Sequence, residues 1–441
     1  MRDGGGAGQS EPSAPGRDAE VRVAGGKGVV VGDYNTVFQI FTQAPPSPLS
    51  SVIRVREFKA LVDERTRSFV GRDFIFNAIN ELLSDPEFPS GYIVIQGEPG
   101  IGKTALLGQL VKIRGCVHHF NISTQGIRTP QAFLSNVCAQ LIVRYKLPYA
   151  VLPVEATQDG GFLSCLLTEA AEKPGNVPLL VAVDALDEAE DTSMPPGANR
   201  LFLPPALPTG VFFIVSTRPK YDFRLSADSK RDIFINEDDP KNVGDVRKFI
   251  GQFIQANELK MEPRIAAWGL SKEDFVGTLT EKSEGNFMYL VHVLRDIREG
   301  VLTAENVDDI QKLPKGLKDY YRRHWNTMRS ADEQRFSFYQ EPVICLLAAA
   351  REPVTMTRIQ EWIKQYWAEN KWDLPGLNVQ KVADVVHDWR EFLNVDDSDT
   401  YYRIYHASFQ DFLKQEVGLT TYHRAIADAA LAKIPGFFDA R

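Results

Sequence analysis

Long hydrophobic runs are missing from this chain: nowhere do the roughly 20 consecutive apolar residues occur that a helix needs to cross a bilayer. The opening stretch, MRDGGGAGQSEPSAPGRDAE, also lacks the apolar centre of a secretory signal. Cysteine is scarce. Its four occurrences, Cys116, Cys138, Cys165 and Cys345, stand far apart, which excludes paired zinc-ligand spacing and a disulfide framework. Positive charge is not in excess either, since 50 basic residues against 58 acidic ones leave a net charge of −8. That balance argues against a surface built to coat nucleic acid, while a local basic patch stays compatible with it. These absences predict a soluble cytoplasmic protein with no membrane segment.

What is there is ample for globular folding. Apolar residues make up 44% of a 441-residue chain, which is too long for one core and predicts two or three domains. Residues 1–20 hold Gly, Pro, Ser and charge with little to bury, and predict a disordered leader. VRVAGGKGVVVGDYNTVFQIFTQ, within residues 21–45, mixes β-branched residues with Gly and Asn as short β-segments do, and APPSPLSS reads as a linker. Over residues 46–235 the runs YIVIQ, CVHHFNI, LLVAVD, VFFIVST and DIFIN alternate with the helical patterns TALLGQLVKI, QAFLSNVCAQLIVRY and GFLSCLLTEAAEK. That alternation predicts a parallel sheet covered on both faces. Over 236–312 and 313–441 amphipathic helices dominate, with Pro-containing breaks at KLPKG and DLPG and no fixed-period repeat.

LLVAVDALDEAED, residues 179–191, ends an aliphatic run on five carboxylates: Asp184, Asp187, Glu188, Glu190 and Asp191. Unpaired charge at the end of a central strand is strongly unfavourable, so the segment predicts a bound cation. IVIQGEPGIGKTALL, residues 93–107, supplies the rest, because it sets Gly97, Gly102, Lys103 and Thr104 in Gly-x-x-x-x-Gly-Lys-Thr spacing between a strand and a helix. In such a loop the glycines let backbone N–H groups turn inward around phosphate oxygens, and the helix adds its positive dipole end. Gly97, Gly100, Ile101, Gly102, Lys103, Thr104 and Ala105 are therefore candidate nucleotide-binding residues, with Lys103 facing the β- and γ-phosphates and Thr104 ligating magnesium. Asp184 completes the metal shell through water. Asp187 and Glu188 follow as candidates for orienting or deprotonating the attacking water, while Glu190 and Asp191 read as solvent-facing. FFIVSTRP ends at the same sheet edge and makes Arg218 a candidate γ-phosphate sensor, or else an arginine anchoring a strand end by a salt bridge.

Asp184-Ala185-Leu186-Asp187-Glu188 resembles the extended acidic strand motif of NACHT nucleotide-binding proteins, in the STAND branch of AAA+-related ATPases. FVGRD resembles the entry motif that lies near adenine in that superfamily, which implies Phe69, Val70, Gly71 and Arg72 as further cofactor-binding residues. The helix after it places Ile75, Ile79, Leu82 and Leu83 on one face. SEGNFMYLVHVL is similar to the helical-domain motif of the group, although Gly285-Asn286-Phe287 stands where relatives carry Gly-x-Pro, so a proline packing on adenine is absent. EPVICLLAAAREPVTMTRIQEWI resembles the start of the winged-helix domain, and YYRIYHASFQDFL, residues 401–413, its closing helix. In relatives the histidine of that helix contacts the β-phosphate of ADP, which implies the same role for His406.

The resemblance covers roughly residues 65–415 and implies an α/β P-loop NTPase followed by a helical domain and a winged-helix domain. It further implies a slow ATPase that uses ATP/ADP and Mg2+ as a switch, closing its winged helix on ADP and forming a homo-oligomer on activation, in prokaryotic immunity or regulated cell death. About 65 residues precede the ATPase and about 25 follow HASFQDFL, which implies a fragment, or a sensor and an effector acting in trans. GVVVGDYNT, residues 28–36, resembles the core of RHIM-like and bacterial amyloid signalling motifs, which template an effector protein through stacked β-segments. The alternative function is a winged-helix DNA-associated ATPase.

Overall fold

In β1 (Gly91–Gly97) Tyr92 and Val94 pack into one apolar cluster and Ile93 and Ile95 into another, because side chains along a strand alternate between faces. The same split runs through β3 (Leu179–Asp184) and β4 (Val211–Thr217), whose residues are all buried. Strands apolar on both sides require cover on both sides. Helices α4 (Pro130–Tyr145) and α5 (Gly161–Ala171) supply it on one face. Helices α1 (Val55–Thr66), α2 (Asp73–Leu83) and α3 (Lys103–Arg114) supply it on the other, with Ile75 and Ile79 fully buried and Leu82 and Leu83 packed at the margin. With β2 (Val117–Phe120) and β5 (Lys230–Ile235) the sheet runs in the order β2-β3-β4-β1-β5, all parallel. The crossovers therefore bring the loop after β1 to the edge where β3 ends at Asp184 and β4 at Thr217.

The computed structural model describes residues 47–122, 125–173, 175, 178–190, 199–219, 224–372, 376, 378–395 and 400–433. The leader, the β-prone motif of residues 21–45, Asp191 and most of the DLPG break lie outside them.

After the sheet come α6 (Pro240–Ala256), α7 (Glu258–Ala267), α8 (Lys272–Ser283) and α9 (Phe287–Glu299). Asp239, Ser271 and Asn286 begin α6, α8 and α9 by accepting a backbone N–H in the first turn, which satisfies a donor that the helix itself cannot. Helix α10 (Gly316–Ala331) leads to α11 (Glu341–Ala349), α12 (Met356–Glu369) and α13 (Val379–Asp388). An antiparallel hairpin of β6 (Leu393–Val395) and β7 (Tyr402–Ile404) follows, then α14 (Ala407–Glu416) and α15 (Thr420–Leu431). This is a winged-helix arrangement. One apolar cluster runs from Val246 in α6 to Ala425 in α15, so the helical and winged-helix parts share a core.

The fold class expected from the sequence is thus the one observed. One local expectation is corrected: residues 401–413 do not form a single helix, because Tyr402 and Ile404 are buried on one side of β7, and Tyr402 also pairs with Val354. The helix begins only at Ala407, after His406.

Candidate functional site

A cavity of about 420 Å³ opens at the carboxyl edge of the sheet. The loop after β1 contributes Gly100, Gly102, Lys103, Thr104 and Ala105. The ends of β3 and β4 contribute Asp184, Asp187, Glu188, Ser216 and Arg218. The segment from α1 to α2 brings Arg65, Phe69, Val70 and Arg72, and the β7–α14 junction brings Tyr405, His406 and Ala407.

The loop's shape depends on two left-handed glycines, Gly100 at φ 87° and Gly102 at φ 98°. A Cβ at Gly100 would stand 2.5 Å from Asn286 Oδ1, so the loop is closed on its outer side. Lys103 begins α3 and turns its ammonium back onto the Gly97 and Glu98 carbonyls, at 2.6 and 3.0 Å. Burial lowers the Lys103 pKa, and Asp187 and Asp184 oppose that shift. The lysine is a desolvated cation facing carboxylates across a space suited to phosphate.

Asp184 is 3% exposed and accepts hydrogen bonds from the Ser216 hydroxyl, at 2.5 Å, and from Thr104. Burial raises its pKa, while those two bonds and the Lys103 charge act against the rise. The turn after it carries Ala185 at φ 52°, and the Ala185 N–H donates to the same Ser216 hydroxyl at 2.9 Å. Asn121 donates from Nδ2 to the Asp184 carbonyl at 2.8 Å, while its Oδ1 is buried with no hydrogen-bond partner. A hydroxyl, a carboxylate and an orphaned amide oxygen form a hard oxygen donor set of the kind that suits hydrated magnesium. The glycine loop and Lys103 likewise suit a di- or triphosphate.

Asp187 and Glu188 both line the cavity, and Arg218 Nε lies 2.7 Å from the Asp187 carboxylate. Arg218 therefore fits its salt-bridge reading while still lining the cavity, and its Nη1 reaches Asp411 of α14 at 2.5 Å. Arg72, implied as a contact near adenine, lines the cavity and is also held by hydrogen bonds within the protein. Its Nη1 donates to Asn242 Oδ1 at 2.7 Å and its Nη2 to the Ile101 carbonyl at 2.6 Å. Its guanidinium stands 4.8 Å from the centre of the Phe287 ring, and burial brings its pKa to about 10. Gly71, Gly97 and Ile101 shape the walls from behind: a Cβ at Gly71 would collide with Asp245, and one at Gly97 with Ile101. Where a proline was missing, Phe287 lines the cavity with Phe249 and Phe253, its ring 5.5 Å from that of Phe249.

His406 serves two purposes. Its Nδ1 accepts the Ser408 N–H at 3.1 Å as the cap of α14, as an ordinary structural histidine would, yet the residue also lines the cavity. Burial, with the Arg65 and Lys103 charges, puts its pKa well below the usual value, so the ring is neutral. An Nδ1 that accepts a backbone N–H leaves the proton on Nε2, which makes that nitrogen a donor. Reading the sequence overlooked Arg65, Asn121, Ser216, Tyr405 and Asp411. Ser216 and Asn121 were signalled only as polar residues ending buried strands, and nothing local marks the others.

No family model matches the chain, and no curated protein matches it. Among solved structures, a Walker-type ATPase of Pyrococcus abyssi is 12% identical over 78% of this chain and 96% of that one, with a TM-score of 0.36. A Drosophila ORC structure bound to DNA is 14% identical over 86% of this chain and 96% of that chain, at 0.33. The ORC2 protein of Aeropyrum pernix in ADPNP–ADP complexes is 14% identical over 90% and 97%, also at 0.33. These are likenesses of chain path.

Proposed function

We propose that this protein binds a nucleoside di- or triphosphate on the Gly97–Thr104 loop, hydrolyses the triphosphate slowly, and uses the exchange to set whether its winged-helix part closes over the site. The observation carrying this reading is that Tyr405 and His406, about 300 residues after the loop, line the same cavity as Lys103, Thr104 and Asp184. Thr104 and Asp184 are the residues that would hold magnesium, which when bound neutralises phosphate charge. Lys103 holds the phosphates, Glu188 takes the proton of the attacking water, and Ser216 positions Asp184. His406 donates from Nε2 and ties the winged-helix part to a bound diphosphate. The aromatic wall of Phe249, Phe253 and Phe287 suits a purine base.

By its motif resemblance the switch is of the NACHT type and serves prokaryotic immunity or regulated cell death, with activation by homo-oligomerisation and an effector recruited through residues 21–45. The second reading is a DNA-associated ATPase, the kind of protein that the names of the similar structures bring forward. A surface observation favours the switch. The exposed positions of α13, which a winged helix would lay in a DNA groove, are Val379, Gln380, Asp384 and His387, and its one lysine, Lys381, hydrogen-bonds Tyr339. Mass identification of the nucleotide that copurifies with the chain tests the core of the proposal, with Lys103→Ala expected to lose it. Duplex DNA binding at moderate salt by the wild-type chain would favour the second reading.

A further inference from the structure

We propose that Asp411 makes this site discriminate between diphosphate and triphosphate, by competing with the third phosphate for Arg218. The inference rests on the nucleotide reading above and concerns a residue for which the sequence predicted no role. Arg218 is held between two carboxylates, Asp187 on Nε at 2.7 Å and Asp411 on Nη1 at 2.5 Å. The two partners differ. The Asp187 side chain is 6% exposed and belongs to the turn after β3, whereas Asp411 is 38% exposed and belongs to α14 of the winged-helix part. Arg218 thus has one fixed and one detachable partner, and it lines the cavity beside Lys103 and Glu188.

A third phosphate brings negative charge to a place where Asp184, Asp187 and Glu188 already line the cavity beside Lys103 and Arg218. Turning Arg218 toward that charge requires giving up a carboxylate. Asp187 stays, because a carboxylate left buried and unpaired is strongly unfavourable. Asp411 leaves, because water can take the place of the guanidinium. The helix that Asp411 occupies is the one His406 caps, so loss of the bridge loosens the winged-helix contact over the cavity. A diphosphate makes no such demand on Arg218. By linkage, the Arg218–Asp411 bridge then favours diphosphate to the extent that triphosphate breaks it.

The test uses the full chain, a fluorescent nucleoside diphosphate and a non-hydrolysable triphosphate. Asp411→Asn should raise the ratio of triphosphate to diphosphate affinity by roughly fivefold, the scale of a partly exposed ion pair, and Asp411→Glu should keep the wild-type ratio. Hydrogen exchange across residues 407–416 should be faster with the triphosphate than with the diphosphate in the wild-type chain, and fast with both in Asp411→Asn. A ratio that does not change, with both affinities or the melting temperature lowered together, would overturn the proposal and leave Asp411 as a docking contact for α14. Should Asp411→Asn not fold, equal exchange with the two nucleotides in the wild-type chain overturns it just as well. A wild-type chain that binds neither nucleotide brings down the nucleotide reading itself, an outcome distinct from tight binding without discrimination.

Discussion

The Phe287 backbone N–H donates to the Gly100 carbonyl at 3.1 Å, so the first turn of α9 is bonded directly to the tip of the glycine loop after β1. Met288 N–H shares the same acceptor, and Asn286 Nδ2 donates to the Pro99 carbonyl at 2.8 Å. The helical part therefore holds the loop in shape from outside, and any movement of α9 must be felt at the loop.

Gly100→Ala should accordingly destabilise the chain by about 1–2 kcal/mol from the left-handed backbone alone, with the push against Asn286 in addition. Nucleotide affinity should fall with it. Pairing the change with Asn286→Ala removes the collision but not the backbone strain, so calorimetric titration should show partial recovery only; full recovery would mean that the loop is not held at φ 87°.

Glu188→Gln should retain triphosphate and slow its hydrolysis by roughly 10²–10⁴-fold, the usual loss on removing a general base. Asp187→Asn should behave differently, because it frees Arg218 from its buried partner. A lower melting temperature and a changed diphosphate affinity are expected for that variant. Wild-type turnover in Glu188→Gln, measured by phosphate release, would place the base elsewhere.

His406→Ala removes a cap and, on the proposed function, a phosphate donor. Loss of the cap should lower stability by about 1 kcal/mol, and diphosphate affinity should fall by about 1.5–3 kcal/mol, the range for a hydrogen bond to a charged group. Triphosphate affinity should fall less. Equilibrium dialysis with each nucleotide separates these outcomes, and a variant that melts earlier while still holding diphosphate would reduce His406 to its capping role. Because burial keeps the ring neutral, wild-type diphosphate binding should show no His406 titration between pH 6 and 8.

Acid stability supplies a further check. Burial lowers His119 and His292 to about 3, so below about pH 6.5 the unfolded chain takes up protons that the folded one cannot, and stability falls with pH. Asp296 runs the other way. Burial and the Glu391 charge raise it to about 6, so the folded chain gains a proton before the unfolded one, and stability is favoured as pH falls through that value. Its carboxylate accepts the Tyr320 hydroxyl at 2.6 Å, a bond that an asparagine oxygen can keep. Asp296→Asn should therefore be more stable than wild type at pH 8 and lose stability more steeply between pH 6.5 and 4.5, as read from urea denaturation at each pH. Parallel curves for the two proteins would show that Asp296 is not raised.

The sheet, its phosphate loop and the acidic end of β3 were legible in the amino-acid sequence because each is encoded locally. Two-sided apolar runs make buried parallel strands, and eight residues from Gly97 to Thr104 carry the loop's spacing, its backbone freedom and its cation. Pairing between distant elements left no such trace. Arg72 spends its guanidinium on Asn242, 170 positions away, and Arg218 meets Asp411 across 193. Arg65 donates to Tyr405 across 340. Charge alone could not tell whether Asp187 would face water or an arginine, since both satisfy a carboxylate; that was decided by where β4 ends beside β3 and by the docking of α14. The sequence by itself determined a glycine loop, a lysine and an acidic strand end at one sheet edge, whereas the placing of the winged-helix part over that edge follows from an apolar core shared from Val246 to Ala425, which only the packed chain brings together.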